Sequence, residues 1–88
     1  MSIYEISEIL KEYSYYCICV RVNDIKNMVF DCLTLLKKKE NVYHYIVVKN
    51  IKNNFVYIYD PLYLGIKKIR VDTFRKKWSH ICLFYSKI

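Results

Sequence analysis

Glycine and proline occur once each in these 88 residues, glutamine does not occur, and eight acidic side chains stand against fifteen basic ones. So little glycine and proline in a chain that is 55% apolar excludes a disordered or low-complexity protein. The apolar residues never gather into a run long enough to cross a bilayer. Met1 leads straight into a polar helical pattern instead of the apolar stretch of a signal peptide. These absences predict a cytosolic chain. The shortage of acidic residues leaves a formal charge of +7, which invites an acidic partner: nucleic acid, an anionic membrane surface or an acidic peptide. The lysines are spread along the chain except in Lys37–Lys39 and Arg75–Lys77, runs that read as solvated faces. A chain of this length forms one small domain, residues 1–88, and no internal repeat or linker divides it.

Cysteine is not scarce, but its pattern excludes two uses. Cys17 and Cys19 have C-x-C spacing, and Cys32 and Cys82 form no second pair at zinc-finger distance, so no metal site is expected. A cytosolic setting keeps thiols reduced, so all four read as small hydrophobes rather than a disulfide framework. His80, on the same predicted strand as Cys82, reads as a satisfied histidine and not a ligand.

Ser2-Ile3-Tyr4-Glu5 is a capping box, which predicts a helix beginning there. Ile3, Ile6, Leu10 and Tyr13 fall on one stripe, giving about three amphipathic turns that stop near Ser14-Tyr15. From Tyr16 to Val22 the pattern changes to a period of two, with Cys17, Cys19 and Arg21 on one face and Tyr16, Ile18, Val20 and Val22 on the other. Residues 25–31 are ambiguous. Cys32–Leu36 predicts a buried strand, 37–41 an exposed connection, 66–71 a strand, 72–78 a short helix and 81–85 a last strand. Phe74 and Trp78, four apart, share one face of that helix.

The centre of the pattern is the segment from Tyr43 to Pro61. Its β-branched and aromatic runs, 43–49 and 55–59, flank Asn-rich residues and read as a hairpin with a turn near Lys52. A three-residue loop, 51–53, sets Asn50 against Asn54, Val48 against Val56 and Ile46 against Ile58. His44 then lies opposite Asp60, near enough for the carboxylate to accept from the imidazole and fix its tautomer. That is the orienting half of a catalytic triad. The fold class is α+β: a helix, then an antiparallel sheet of about five or six strands with one short helix.

The ordered series His44-Tyr45-Ile46-Val47-Val48, Tyr57-Ile58-Tyr59-Asp60-Pro61, Gly65 and Phe74 followed by Trp78 resembles the second half of the bacteriocin-processing cysteine peptidases. These are papain-like domains fused to ABC transporters that cleave double-glycine leaders. The resemblance covers most of the chain and implies the β-lobe of the fold plus the last helix of the other lobe. It implies His44 as general base and Asp60 as its orienter, with no cofactor and no metal. In that family the nucleophilic cysteine follows an oxyanion glutamine in an N-terminal helical segment, and the resemblance implies that this sequence begins after that segment. Tyr43 stands where the family often has glycine. Cys32, which precedes the hairpin, is the one local candidate for nucleophile.

Three functions from different classes are therefore expected. The first is a cysteine peptidase lobe that is incomplete alone, its partner a chain supplying the cysteine-bearing lobe, at the cytosolic face of a membrane through an ABC transporter. The second is a non-catalytic module that grips a leader-like peptide. The third and weakest is a basic, Tyr-rich nucleic-acid binder. A sheet without its helical lobe should also leave an apolar patch open to self-association.

Overall fold

Helix formation starts where the capping box places it. The structure, a computed structural model, describes residues 2–88. Ser2 Oγ accepts from the Glu5 N–H and Glu5 Oε1 accepts from the Ser2 N–H, both at 3.1 Å, and α1 spans Ile3–Glu12. It ends at Ser14, whose φ of 66° is a left-handed conformation more often filled by glycine. Ser7 is buried, while Ile3, Ile6 and Leu10 are half-buried beside β1 (Tyr15–Arg21). Tyr13 leaves the expected stripe and is 67% exposed, because the helix has already ended.

The other strands are β2 (Cys32–Lys39), β3 (Val42–Lys52), β4 (Phe55–Asp60), β5 (Gly65–Arg70) and β6 (Trp78–Lys87), with α2 (Val71–Lys77) between the last two. They form one antiparallel sheet in the order β1-β6-β2-β3-β4-β5. The expected α+β architecture is therefore present, and the ambiguous 25–31 segment holds a single 3-10 turn at Ile25–Asn27. Several details differ from expectation. β2 does not stop at Leu36 but continues to Lys39, so the connection to β3 is only the Glu40-Asn41 turn. β6 is ten residues long, since it lies between β1 and β2 and has ladder partners on both sides. In β1 the covered face changes between Cys17 and Val20, so Cys19, expected to share the environment of Cys17, is exposed.

One face of the sheet carries the core. Cys32, Leu36, Ile46, Val48, Val56, Ile58 and Cys82 meet Phe74 of α2 and Trp78, the first residue of β6. The Phe74 and Trp78 rings are 5.5 Å apart, so the expected i, i+4 contact forms although Trp78 lies one residue past the helix. Thr34 is the polar side chain at the centre. Its Oγ1 donates to the Ile81 carbonyl at 2.6 Å and accepts from Trp78 Nε1 at 2.9 Å, leaving neither group unpaired.

The hairpin register differs from the expected one. The turn is two residues, Asn53-Asn54, with φ of 53° and 67°, and Lys52 pairs Phe55. Both positive φ values match the primed turns that follow strand twist. Val48 faces Ile58 instead of Val56, Asn50 faces Tyr57 instead of Asn54, and Lys49 is the extra residue of a bulge. Carried past Val47–Tyr59, this register puts Ile46 beside Asp60 and His44 two positions along the diagonal. The expected register was thus wrong by two residues, an even number, so His44 and Asp60 still share a face. Because asparagine tolerates the left-handed turn and β-branched residues do not, Asn54→Gly should keep the stability of the protein. Asn54→Val should lose about 1 to 2 kcal/mol, measured by urea unfolding.

Candidate functional site

His44 projects from β3 next to Leu36 of β2, and Asp60 is the last residue of β4. Pro61 follows, and the chain turns at once: the Tyr63 and Leu64 N–H groups donate to the Asp60 carbonyl at 2.9 and 3.0 Å. The same turn aims the Leu62 N–H at Asp60 Oδ1, 3.0 Å away. The other carboxylate oxygen, Oδ2, lies 3.0 Å from His44 Nε2. The two side chains are 22% and 8% exposed. Sequence and geometry therefore agree on the pair, although a diagonal contact replaces the directly opposed one.

A carboxylate can only accept, so Nε2 carries the proton and Nδ1 presents its lone pair. Nδ1 is buried and has no hydrogen-bond partner among the described residues. Leaving such an acceptor unpaired costs about 1 to 3 kcal/mol, and among the buried side-chain nitrogens and oxygens of the described residues this cost falls on His44. A basic nitrogen held in a fixed tautomer, with a carboxylate behind it to stabilise the imidazolium, can take and return a proton. Burial alone would raise the Asp60 carboxyl. The Leu62 N–H, the His44 hydrogen bond and the nearby charge of Lys67 outweigh it, holding the group below the ordinary carboxylate value.

None of the four cysteines approaches this ring. Cys32 pairs with Val48 while Leu36 pairs with His44, a separation of four residues along the ladder, or about 13 Å. It is fully buried, and the neighbouring Cys82 sulfur and burial push its thiol far above the ordinary value. Cys82 sits inside the core beside Thr34. Cys17 and Cys19 lie on β1, separated from β3 by β6 and β2, and burial followed by the nearby Cys82 raises Cys19 as well. His80 is satisfied as expected: its Nδ1 lies 2.9 Å from the Val22 carbonyl and its ring stacks on Trp78 at 4.3 Å. Its φ of 67° lies where the β2–β6 register shifts.

Beside the pair is a cleft of about 300 Å³, with Leu36, Ile58 and Ile69 among its apolar lining and Leu62 and Tyr63 at an exposed lip. Lys37, Lys38, Lys67 and Lys77 also line it. Lys37, Lys38 and Lys77 were missed by reading the two basic runs as solvated faces, and Lys67 was read only as part of a strand. The available signal was position: the first run directly follows Leu36, the neighbour of His44.

A family model described as the peptidase C39 family matches residues 1–88. The chain belongs to the peptidase C39 family. Its fold is similar to the peptidase domain of Streptococcus ComA, described as a bifunctional ABC transporter of a quorum-sensing pathway, with a TM-score of 0.88 at 18% identity. That match covers all of this chain and 68% of the other. The peptidase domain of Streptococcus mutans ComA, alone and with a small-molecule inhibitor, matches with a TM-score of 0.85 at 19% identity, over 98% of this chain and 75% of that one. No curated protein matches the sequence. The C39 assignment agrees with the resemblance carried by His44, Asp60-Pro61, Gly65, Phe74 and Trp78. Among the described residues no helix is long and apolar enough to cross a membrane.

The low carboxyl of Asp60 gives a pH dependence of known sign. Its folded value lies below the unfolded value of about 3.9, so its contribution to stability is complete above that value and is lost as pH falls through the folded value. The stability difference between wild type and Asp60→Asn should therefore shrink from about pH 5 downward. Urea midpoints across that range measure it, and a difference independent of pH would count against the charged pair.

Proposed function

We propose that this chain supplies the base and orienter of a cysteine peptidase site, His44 and Asp60, while nucleophile and oxyanion donor come from outside these 88 residues. The source is another segment of the polypeptide or a second chain. The observation that carries this reading is the His44 Nε2 to Asp60 contact of 3.0 Å with Nδ1 left unpaired. Placement of the cysteines supports the second half, since Cys32 lies far along the ladder from His44.

In this reading a cysteine thiol loses its proton to His44 Nδ1 and the thiolate attacks the scissile carbonyl. His44 then returns the proton to the leaving amine, and later takes one from the water that hydrolyses the thioester. Asp60 stays ionised and holds the imidazolium in place. Nδ1 is shielded from solvent, so the thiol reaches it only after the side chains now covering it give way. Exposed Leu62, Tyr63 and Leu64 beside the cleft offer apolar surface for the incoming segment. The substrate class is a double-glycine leader peptide and the setting is the cytosolic side of an ABC transporter. Family membership supports both, as does the likeness to the ComA peptidase domains.

The absence of a thiol near His44 equally favours a module that binds the peptide without cutting it, and one experiment separates the two. The 88 residues alone should not cleave a double-glycine leader peptide. Added to a fragment bearing the glutamine and cysteine of a C39 helical segment, they should restore cleavage, and His44→Ala should abolish it. Asp60→Asn should lower the rate by about 10²- to 10⁴-fold. Binding of leader peptide with no cleavage in any such mixture would assign the non-catalytic module instead. Cleavage by the isolated chain that is lost in Cys32→Ser would make Cys32 the nucleophile.

A further inference from the structure

We infer that the cleft beside His44 selects peptide segments bearing acidic side chains, with Lys38 and Lys77 as specificity-determining residues. This rests on the peptide-processing reading of the same site and adds the chemistry of what it accepts. Four lysines from three elements line the cleft: Lys37 and Lys38 of β2, Lys67 of β5 and Lys77 from the last turn of α2. Consecutive strand residues ordinarily point to opposite faces, but the β2–β3 register shifts between Lys37 and Lys39, and both neighbours reach the cleft.

Little on the protein neutralises them. Lys37 has Glu40 at 3.4 Å, and Lys67 lies 5.3 Å over the Tyr63 ring and is attracted to the Asp60 carboxylate. Lys38 and Lys77 have no acidic partner among the described residues. Asp60 is the one carboxylate lining the cleft, and both its oxygens are already engaged, by His44 and by the Leu62 N–H. Ammonium groups converging on one concave site repel each other, and an anionic side chain entering among them relieves that repulsion. The apolar lining of Leu36, Ile58 and Ile69 favours a peptide over a nucleic-acid strand, because it accepts aliphatic side chains.

The test uses two labelled peptides of one sequence ending in Gly-Gly, with glutamate in one and glutamine at the same positions in the other. Fluorescence anisotropy should show tighter binding of the glutamate peptide at low salt, with the preference fading as salt rises to about 0.3 M. Lys38→Ser with Lys77→Ser should weaken the glutamate peptide about three- to tenfold and leave the glutamine peptide unchanged. A control of equal net charge, Lys11→Ser with Lys26→Ser, should leave both unchanged. An equal loss in the control would replace selection at the cleft with diffuse charge and overturn the inference. Equal binding of the two peptides would overturn it and leave the peptidase reading, which the cleavage assay judges separately. Binding of neither peptide at low salt would also overturn it. Tighter binding of a single-stranded oligonucleotide or an anionic vesicle through the same two lysines would overturn it in favour of that partner.

Discussion

The site depends on how β3 and β4 are registered. Side chains alternate across a strand, so an odd offset between β3 and β4 would leave His44 on one face and Asp60 on the other. With Lys49 and Asn50 both paired, the two-residue turn at Asn53-Asn54 would set Val48 against Tyr59 and produce that separation. The bulge at Lys49 absorbs one residue and brings Ile46, Val48, Ile58 and Asp60 to the same face. The second bulge, in β2, places adjacent lysines on the wall of the same cleft. Irregular ladder positions thus build the site, and the regular ones build the core beneath it.

Electrostatics then hold the pair together. Burying Asp60 disfavours its charge, yet the turn after Pro61 aims the Leu62 N–H at one oxygen while His44 occupies the other. The carboxylate is held ionised from both sides. At Thr34, by contrast, a buried polar group is fully matched within the chain, through Trp78 and Ile81. His44 is matched at one nitrogen only. A core that satisfies its central threonine and leaves an imidazole nitrogen open carries its cost where a reacting group would be needed.

Some of this was legible from the residues. The capping box at Ser2 and Glu5 and the contact of Phe74 with Trp78 are short-range, and both formed, although Trp78 lies one residue past the helix. The hairpin was legible as an element but not in register, because Ile51, Lys52, Asn53 and Asn54 allow several turns and only the packing of Val48 and Ile58 chooses among them. Long-range choices were not legible. Nothing local in Trp78–Lys87 says that it lies between β1 and β2, or that its ladder extends beyond the apolar residues 81–85. Lys37, Lys38 and Lys77 looked like parts of solvated runs because the convergence with Lys67 comes from three elements far apart in sequence.

The sequence by itself determined the α+β class, the order and type of its elements and the candidate pair, His44 and Asp60. Cap chemistry and the two-residue period act over a few residues, so they can be read in order along the chain. Tertiary structure alone decided the strand order, the two bulges and with them the shared face of His44 and Asp60, the isolation of the cysteines from His44 and the gathering of lysines in the cleft beside it. Each of these depends on which ladder edges remain free and which faces can be buried together, and that balance is set by the whole sheet at once.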